Sequence, residues 1–300
     1  MNKNRSVKTW STPVAQEERE LIPCALCGGR QFKPSLVCDG FSYVRCTGCG
    51  LVQMNPQPFA ANVERRYREL FGDDYLAYQL KNEAAFLELQ KLAMADAHFD
   101  QIEKDLMERK AASGTPDDMP SVLDIGCATG AMLAFLKERG WQTTGVEISP
   151  SAEYARLNRN LAIEKTILEE SCFPVESFDL VLASHLVEHL NNPGSFIDEV
   201  WRVLRPGARL LLTTPNIDGF QARLFGSRWR SAIFDHLYLF SARTIRAMLN
   251  SVGFVCEGVY TWGGLAAGTA PRPIKRIADR AVKILGCGDV MLVKARKPEK

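Results

Sequence analysis

The sequence predicts an α/β fold in which a doubly wound, mostly parallel sheet follows a small cysteine-rich module. Three observations predict it. Ser121–Glu147 reads as strand, glycine turn, helix, strand and terminal acid. Two later apolar runs, Phe178–Ser184 and Leu210–Thr214, are strand-like and separated by a helix-patterned stretch, the alternation of a parallel sheet. Ahead of them stand two C-x-x-C pairs with 18 residues between them.

The central unit justifies itself residue by residue. Val122-Leu123-Asp124-Ile125 is a short apolar run, as in a buried strand. In the turn that follows, Gly126 and Gly130 let the backbone bend tightly and approach a ligand. Met132, Leu133, Phe135 and Leu136 have helical spacing, closed by Gly140. A second strand, Thr143 to Val146, ends on Glu147, 21 residues after Gly126. Such a unit binds an adenosine moiety, with the acid on the ribose hydroxyls. The glycine spacing is G-x-x-x-G and not G-x-G-x-x-G, the turn has no Lys or Arg, and Asp124 precedes it. A carboxylate there suits an ammonium and a sulfonium better than phosphates. S-adenosylmethionine fits that description.

Composition bounds the rest. A chain of 300 residues allows one large domain or two unequal ones, and 46% apolar with 24% charged residues suits a globular protein with a proper core. The formal charge of +2 points to no polyanionic partner. The polar N-terminus lacks a signal peptide's apolar core, and no apolar run approaches the ~20 residues of a membrane span. Nine cysteines without an export signal predict reduced thiols or metal ligands in a cytoplasmic protein.

In chain order, residues 1–20 read as a flexible arm and 21–58 as a zinc ribbon. Cys24-Ala-Leu-Cys27-Gly and Cys46-Thr-Gly-Cys49-Gly form two knuckles whose spacing gives a closed tetrahedral zinc site. Cys38 is a spare thiol. A module this small buries little apolar surface, so zinc is expected to supply its folding energy, chiefly as a structural element. Residues 59–119 form a helical connector, with one long helix from about Lys81 and a linker at 111–120. Tyr67, Phe71, Tyr75 and Tyr78 are an aromatic cluster that could line a substrate pocket or, by preference, serve packing.

Residues 120–300 carry the chemistry. Ser149 is expected to cap a helix that begins at Pro150 and runs to Asn160. His185, Glu188 and His189 would share one helical face at the mouth of the crevice, and His236 lies in Phe234-Asp-His-Leu-Tyr-Leu-Phe-Ser241. Together they would make a divalent-metal site or an acid–base cluster. A helix is expected over Phe196–Leu204, stopped by Arg205-Pro-Gly207, and residues 217–235 suit a lid over the acceptor. Residues 272–285 are basic and amphipathic. They offer a peripheral membrane contact or, by preference, a packed helix with a solvated face.

The glycine turn resembles motif I of class I S-adenosylmethionine-dependent methyltransferases. Gly145–Ser149 is similar to their ribose-binding strand end, and VLRPGARLLLTTPN and D-H-x-x-x-F-S to their later motifs. The resemblance implies seven strands with the last antiparallel. It also implies cofactor contacts from Asp124, Gly126, Cys127, Gly130, Glu147, Ile148, Leu168, Glu169 and Ser184. His185, Glu188, His189 and His236 would be catalytic. H-x-x-E-H resembles the E-x-x-E-H of ubiquinone-pathway O-methyltransferases and small-RNA 2′-O-methyltransferases, where the acids and His hold a divalent ion. His185 in place of the first acid disfavours Mg²⁺. The cysteine pattern resembles the zinc module of bacterial methyltransferases of surface-glycan, modified-sugar and secondary-metabolite pathways. The implied activity is O-methylation of a small-molecule, sugar or glycan acceptor. The rival readings are a nucleic-acid methyltransferase, which the balanced charge disfavours, and a catalytically silent cofactor-binding interaction module.

Overall fold

The computed structural model describes residues 17–38, 40–70, 72–112, 119–264 and 272–299. Most of the expected arm, Phe71 and most of the 111–120 linker lie outside them. The N-terminal part contains β1 (Arg19–Glu20), β2 (Phe32–Cys38), β3 (Phe41–Cys46), β4 (Val52–Met54) and β5 (Gln57–Pro58). The connector contains α1 (Ala60–Arg65), a π-turn at Arg66–Leu70, α2 (Gly72–Asp96) and α3 (Phe99–Ala112). Then follow β6 (Ser121–Ile125), α4 (Ala131–Glu138), β7 (Gln142–Val146), α5 (Ser151–Arg159), β8 (Ala162–Glu164) and β9 (Phe178–Ser184). The chain continues through α6 (Pro193–Val203), β10 (Leu204–Pro215), α7 (Phe220–Phe225), β11 (Tyr238–Leu239) and α8 (Ala242–Val252). It closes with β12 (Val255–Trp262), α9 (Arg272–Ile284) and β13 (Val290–Arg296). No described helix is long and apolar enough to cross a membrane.

The main sheet has seven strands in the order β12-β13-β10-β9-β6-β7-β8. β6, β7, β8, β9 and β10 pair in parallel, and β13 runs antiparallel to both neighbours, as expected. Every residue of β6 is buried, because helices cover both faces of the central strands. The chain winds one way from β6 to β8 and the other way from β9, so the carboxyl ends of β6 and β9 flank the switch point. In such sheets ligands bind in that crevice. Gly130, at φ +76°, lies behind it: a Cβ there would meet Leu161 Cδ1 at 2.5 Å and Ala155 Cβ at 3.2 Å. Its smallness serves helix packing.

Several expected boundaries move for identifiable reasons. α2 begins at Gly72, well before Lys81, and ends at Asp96, where His98 turns to φ +59°. Its first half is held by polar bonds that apolar periodicity does not register. Gln79 Oε1 accepts from Ser151 Oγ, and Glu83 accepts from Thr129 Oγ1 and Arg159. α5 starts one residue late, with Ser149 Oγ accepting from Ser151 N at 3.3 Å. α6 starts at Pro193 under an Asn192 cap, and Arg205-Pro-Gly207 lies inside β10 as an irregularity. On α9, Val282 is buried, and Ile277 and Ile284 are 71% and 76% exposed.

The cysteine module builds no separate core. β2, β3 and β4 form an antiparallel sheet whose fourth strand is β11, from the far end of the chain. Phe41, Tyr43, Leu51 and Met54 share one apolar cluster with Phe234, Leu237 and Phe240. The small module thus finds in its neighbour the burial that its own size denies it.

Candidate active site and cysteine cluster

A cavity of about 770 Å³ opens at the carboxyl ends of β6, β7 and β9, with α2 over it. Asp124, Gly126, Cys127, Glu147, Ile148, Leu168, Glu169 and Ser184 all line it; Gly130 does not. The turn's backbone distinguishes among ligands. Gly126 N and Cys127 N donate to Val146 O, Gly130 N to Cys127 O, and Ala128 N to Glu147 Oε2 at 2.9 Å. With those amides committed, the turn offers little to a pyrophosphate, which needs free N–H groups. Glu147 also accepts from Ser149 N at 2.8 Å. Each carboxylate oxygen keeps a second lone pair for a pair of vicinal hydroxyls.

Asp124 is buried and has no hydrogen-bond partner among the described residues. Burial, and then the charge of Glu147, push its carboxyl up to about 8. The charge of a cationic ligand would outweigh both effects, so the residue fits the charged methionine end of S-adenosylmethionine. Below that pKa the acid holds a proton that a bound cation expels, and affinity should rise as pH climbs towards 8. Calorimetric titrations at pH 7 in two buffers of different ionisation enthalpy should therefore give different heats. Equal heats would remove Asp124 as the cation's partner.

The far wall is aromatic and apolar: Tyr67, Tyr75, Tyr78 and Phe86 line the cavity, which for the tyrosines is the pocket reading and not the preferred packing one. Beside them lies a buried polar cluster. His185 follows β9 at φ +52°, and Val187–His189 is a single 3₁₀ turn, so residues 185, 188 and 189 share no helical face. Glu188 is fully buried and does not line the cavity. Its Oε1 lies 3.2 Å from His185 Nδ1, and its Oε2 accepts from Thr214 Oγ1 at 2.9 Å. Burial alone would raise its pKa, but the His185 bond and the nearby histidines hold it at about 2.

The two inner histidines are driven apart. Burial lowers the pKa of His189, but Asp235 outweighs it and the net shift is upward: Nδ1 lies 3.1 Å from Asp235 Oδ2. Asp235 is itself fixed by Arg66 Nη1 at 2.9 Å and by the Tyr67 hydroxyl at 2.5 Å. In His236, Nδ1 lies 2.8 Å from Ser231 O. A carbonyl only accepts, so Nδ1 carries the proton and Nε2 is the free base. Burial and the neighbouring His189 push this imidazole down to about 4. The rings are 4.7 Å apart and edge to face. Neighbours whose pKa values are pushed in opposite directions are the mark of an acid–base pair. Nothing local in the sequence marks Arg66, and the D-H dipeptide is the one signal for Asp235.

Ligand-capable atoms of Glu188, His189 and His236 also lie within 4.8 Å of one another, with His185 outside the group. Both Glu188 oxygens and both Nδ1 atoms are already bonded, and none of these residues leaves a buried side-chain atom without a partner. Nε2 of each inner histidine stays open, but an ion would have to share a Glu188 oxygen that is already bonded, so the cluster fits acid–base work better than metal binding.

The four cysteines converge separately. The Sγ atoms of Cys24, Cys27, Cys46 and Cys49 all lie within 4.8 Å, with 3.4 Å between Cys24 and Cys49 and 3.5 Å between Cys27 and Cys46. A tetrahedron with Zn–S bonds of about 2.3 Å separates its sulfurs by about 3.8 Å, close to this arrangement. Gly28 N and Gly50 N close the two knuckles onto Cys24 O and Cys46 O, at positive φ in both. Burial would raise the Cys46 thiol, but the Cys49 amide and the Cys27 thiol bring it down to about 7. Cys38 stands apart, with its thiol on Ala232 O.

Comparison with known proteins agrees with this geometry. A family profile described as a methyltransferase domain matches residues 95–258, more than half of the chain. The mitochondrial ubiquinone biosynthesis O-methyltransferase of Rattus norvegicus is 31% identical over 119 residues, 34% of this chain and 33% of that protein. The ubiquinone biosynthesis O-methyltransferase of Idiomarina loihiensis is 31% identical over 105 residues, 32% and 42% of the two chains. This chain therefore spans about a third and about two fifths of the length of these relatives. A solved SAM-dependent methyltransferase from Archaeoglobus fulgidus is 18% identical, with 65% of this chain and 94% of that one covered at a TM-score of 0.46. From the profile match and the sheet order that accompanies it, the chain belongs to the methyltransferase domain family, as a class I, S-adenosylmethionine-dependent member.

Proposed function

We propose that the protein transfers the methyl group of S-adenosylmethionine to a hydroxyl of a small molecule, with His236 as proton acceptor. One observation carries the reading: a cavity-lining His236 whose Nδ1–H is committed to Ser231 O, which leaves Nε2 as the base, beside a His189 whose pKa Asp235 raises. As the acceptor oxygen forms its bond to the methyl carbon, the carbon–sulfur pair returns to sulfur and the hydroxyl proton passes to Nε2. The enzyme's work is alignment and exclusion of water, with no covalent intermediate. Asp124 and the glycine turn hold the methionine portion, Glu147 the ribose, and Leu168 and Glu169 the adenine. The four cysteines would hold a structural zinc.

The zinc module's resemblance supports a sugar or glycan intermediate as acceptor. The aromatic wall of Tyr67, Tyr75, Tyr78 and Phe86, with quinone-pathway relatives, supports a phenol as second reading. Exposed Ile277 and Ile284 on basic α9, with Leu285 just past its end, are consistent with a peripheral contact to a membrane or a lipid-linked acceptor. The near-balanced charge of +2 gives no support to nucleic acid. Replacing His236 by alanine should lower turnover by about 10²- to 10⁴-fold, the usual worth of a general base. Cofactor affinity should stay within about twofold. A rate equal to the native one would remove His236 from the mechanism.

A further inference from the structure

We propose that the cysteine module is a positioning element of the active site, and that Tyr43 is the residue through which it acts. The inference rests on His236 being the proton acceptor. Tyr43 sits on β3, in line with Phe41 on the face turned towards the C-terminal region, and is 1% exposed. Its hydroxyl reaches the carbonyls of Ile233 at 2.6 Å and His236 at 2.7 Å, the two ends of the turn that presents His236 to the cavity. The same turn is tied to the module at four further points. The Cys38 thiol meets Ala232 O at 2.5 Å, Phe41 packs on Phe234, Met54 N donates to Leu237 O at 2.8 Å, and β4 pairs with β11.

The opposite side of the segment faces the chemistry. Leu237 N donates to Glu188 O at 2.7 Å, Asp235 holds His189, and His236 bonds Ser231 O within the turn itself. Residues 231–239 are therefore a short strap stretched between the module and the histidine pair. A purely structural module would need no such contacts: the apolar cluster already attaches it. A buried hydroxyl shared by two carbonyls is a costly way to add mere adhesion, since buried polar groups must be matched closely. It is an effective way to fix a turn, and displacement of a catalytic group by about 1 Å can cost about 10²-fold in rate.

The test is Tyr43→Phe, which keeps the ring and removes the hydroxyl. In the full chain the expected result is a fall of about 10- to 100-fold in kcat, with cofactor affinity, KM and zinc content unchanged. Nitrogen-15 histidine spectra should show His236 losing its single Nδ1–H tautomer. Cys38→Ala, which releases Ala232 O, should move the same signals in the same direction by less. Unchanged His236 signals in both variants, or a lower melting temperature with no change in kcat, overturn the proposal. The two readings fail separately. If His236→Ala leaves turnover intact, the base assignment falls, and the spectra of the Tyr43 and Cys38 variants alone decide whether the module positions the turn.

Discussion

Glu147→Ala is expected to weaken S-adenosylmethionine binding by about 10²- to 10⁴-fold. The carboxylate would receive both ribose hydroxyls, and a hydrogen bond to a charged group contributes about 1.5–3 kcal/mol. Two of them sum to about 3–6 kcal/mol, and each 1.4 kcal/mol is tenfold in affinity. The substitution also frees the amides of Ala128 and Ser149, which Glu147 now accepts at 2.9 and 2.8 Å. Ala128 holds φ +50° in that turn, a conformation alanine keeps only under constraint. One effect opposes the loss: without Glu147, Asp124 ionises more easily and meets the ligand's cation better. That gain is smaller, because burial and not Glu147 is the main reason the Asp124 carboxyl is raised. Calorimetric titration with S-adenosylmethionine, with NAD as control, decides the matter. Native affinity in the variant would withdraw Glu147 from the ribose.

What the sequence disclosed and what it hid follow one physical division. The βαβ unit was legible because strand, glycine turn and helix are local patterns, and the acid at the end of β7 sits at a spacing that the fold imposes. The cysteine knuckles were legible for the same reason. The polar relay was not. Arg66 and Asp235 meet across 169 positions, and Tyr43 meets His236 across 193. No periodicity in one sequence marks such pairs. The H-x-x-E-H run misled in geometry though not in location. Helical spacing was assumed where a strand ends in a left-handed His185 and a single 3₁₀ turn, which sends Glu188 inward and leaves His185 half-exposed. The connector's aromatic residues leave pocket lining and packing both open in the sequence, because burial and cavity lining produce the same stripe. Only the placement of α2 over the crevice separates them.

Removal of metal from the cysteine cluster should have the second large effect, and its pattern matters more than its size. The purified protein is expected to carry about one zinc per chain, and Cys46→Ser should abolish it, because three thiolates no longer close the tetrahedron. Structural zinc in small modules contributes about 10–16 kcal/mol of apparent binding free energy, as much as the whole stability of an ordinary domain. A free-standing module of this size would simply unfold. Here Tyr43, Leu51, Val52 and Met54 lie in a core shared with Phe234, Leu237 and Phe240, so part of that loss is resisted by apolar contacts that need no metal. Hydrogen exchange should accordingly show the knuckles and β2–β3 opening first in Cys46→Ser or after chelation, with β4 and β11 following. The seven-stranded sheet and cofactor affinity should be retained, because among the described residues none of those proposed to hold the cofactor hydrogen-bonds to β2, β3, β4 or β11. Turnover should fall with β11, since that strand continues directly from the His236 turn and pairs with β4. A variant that loses its zinc but keeps protected β2–β3 amides would show that the shared core alone folds the module. A fall in cofactor affinity equal to the fall in turnover would show general unfolding in place of a local loss.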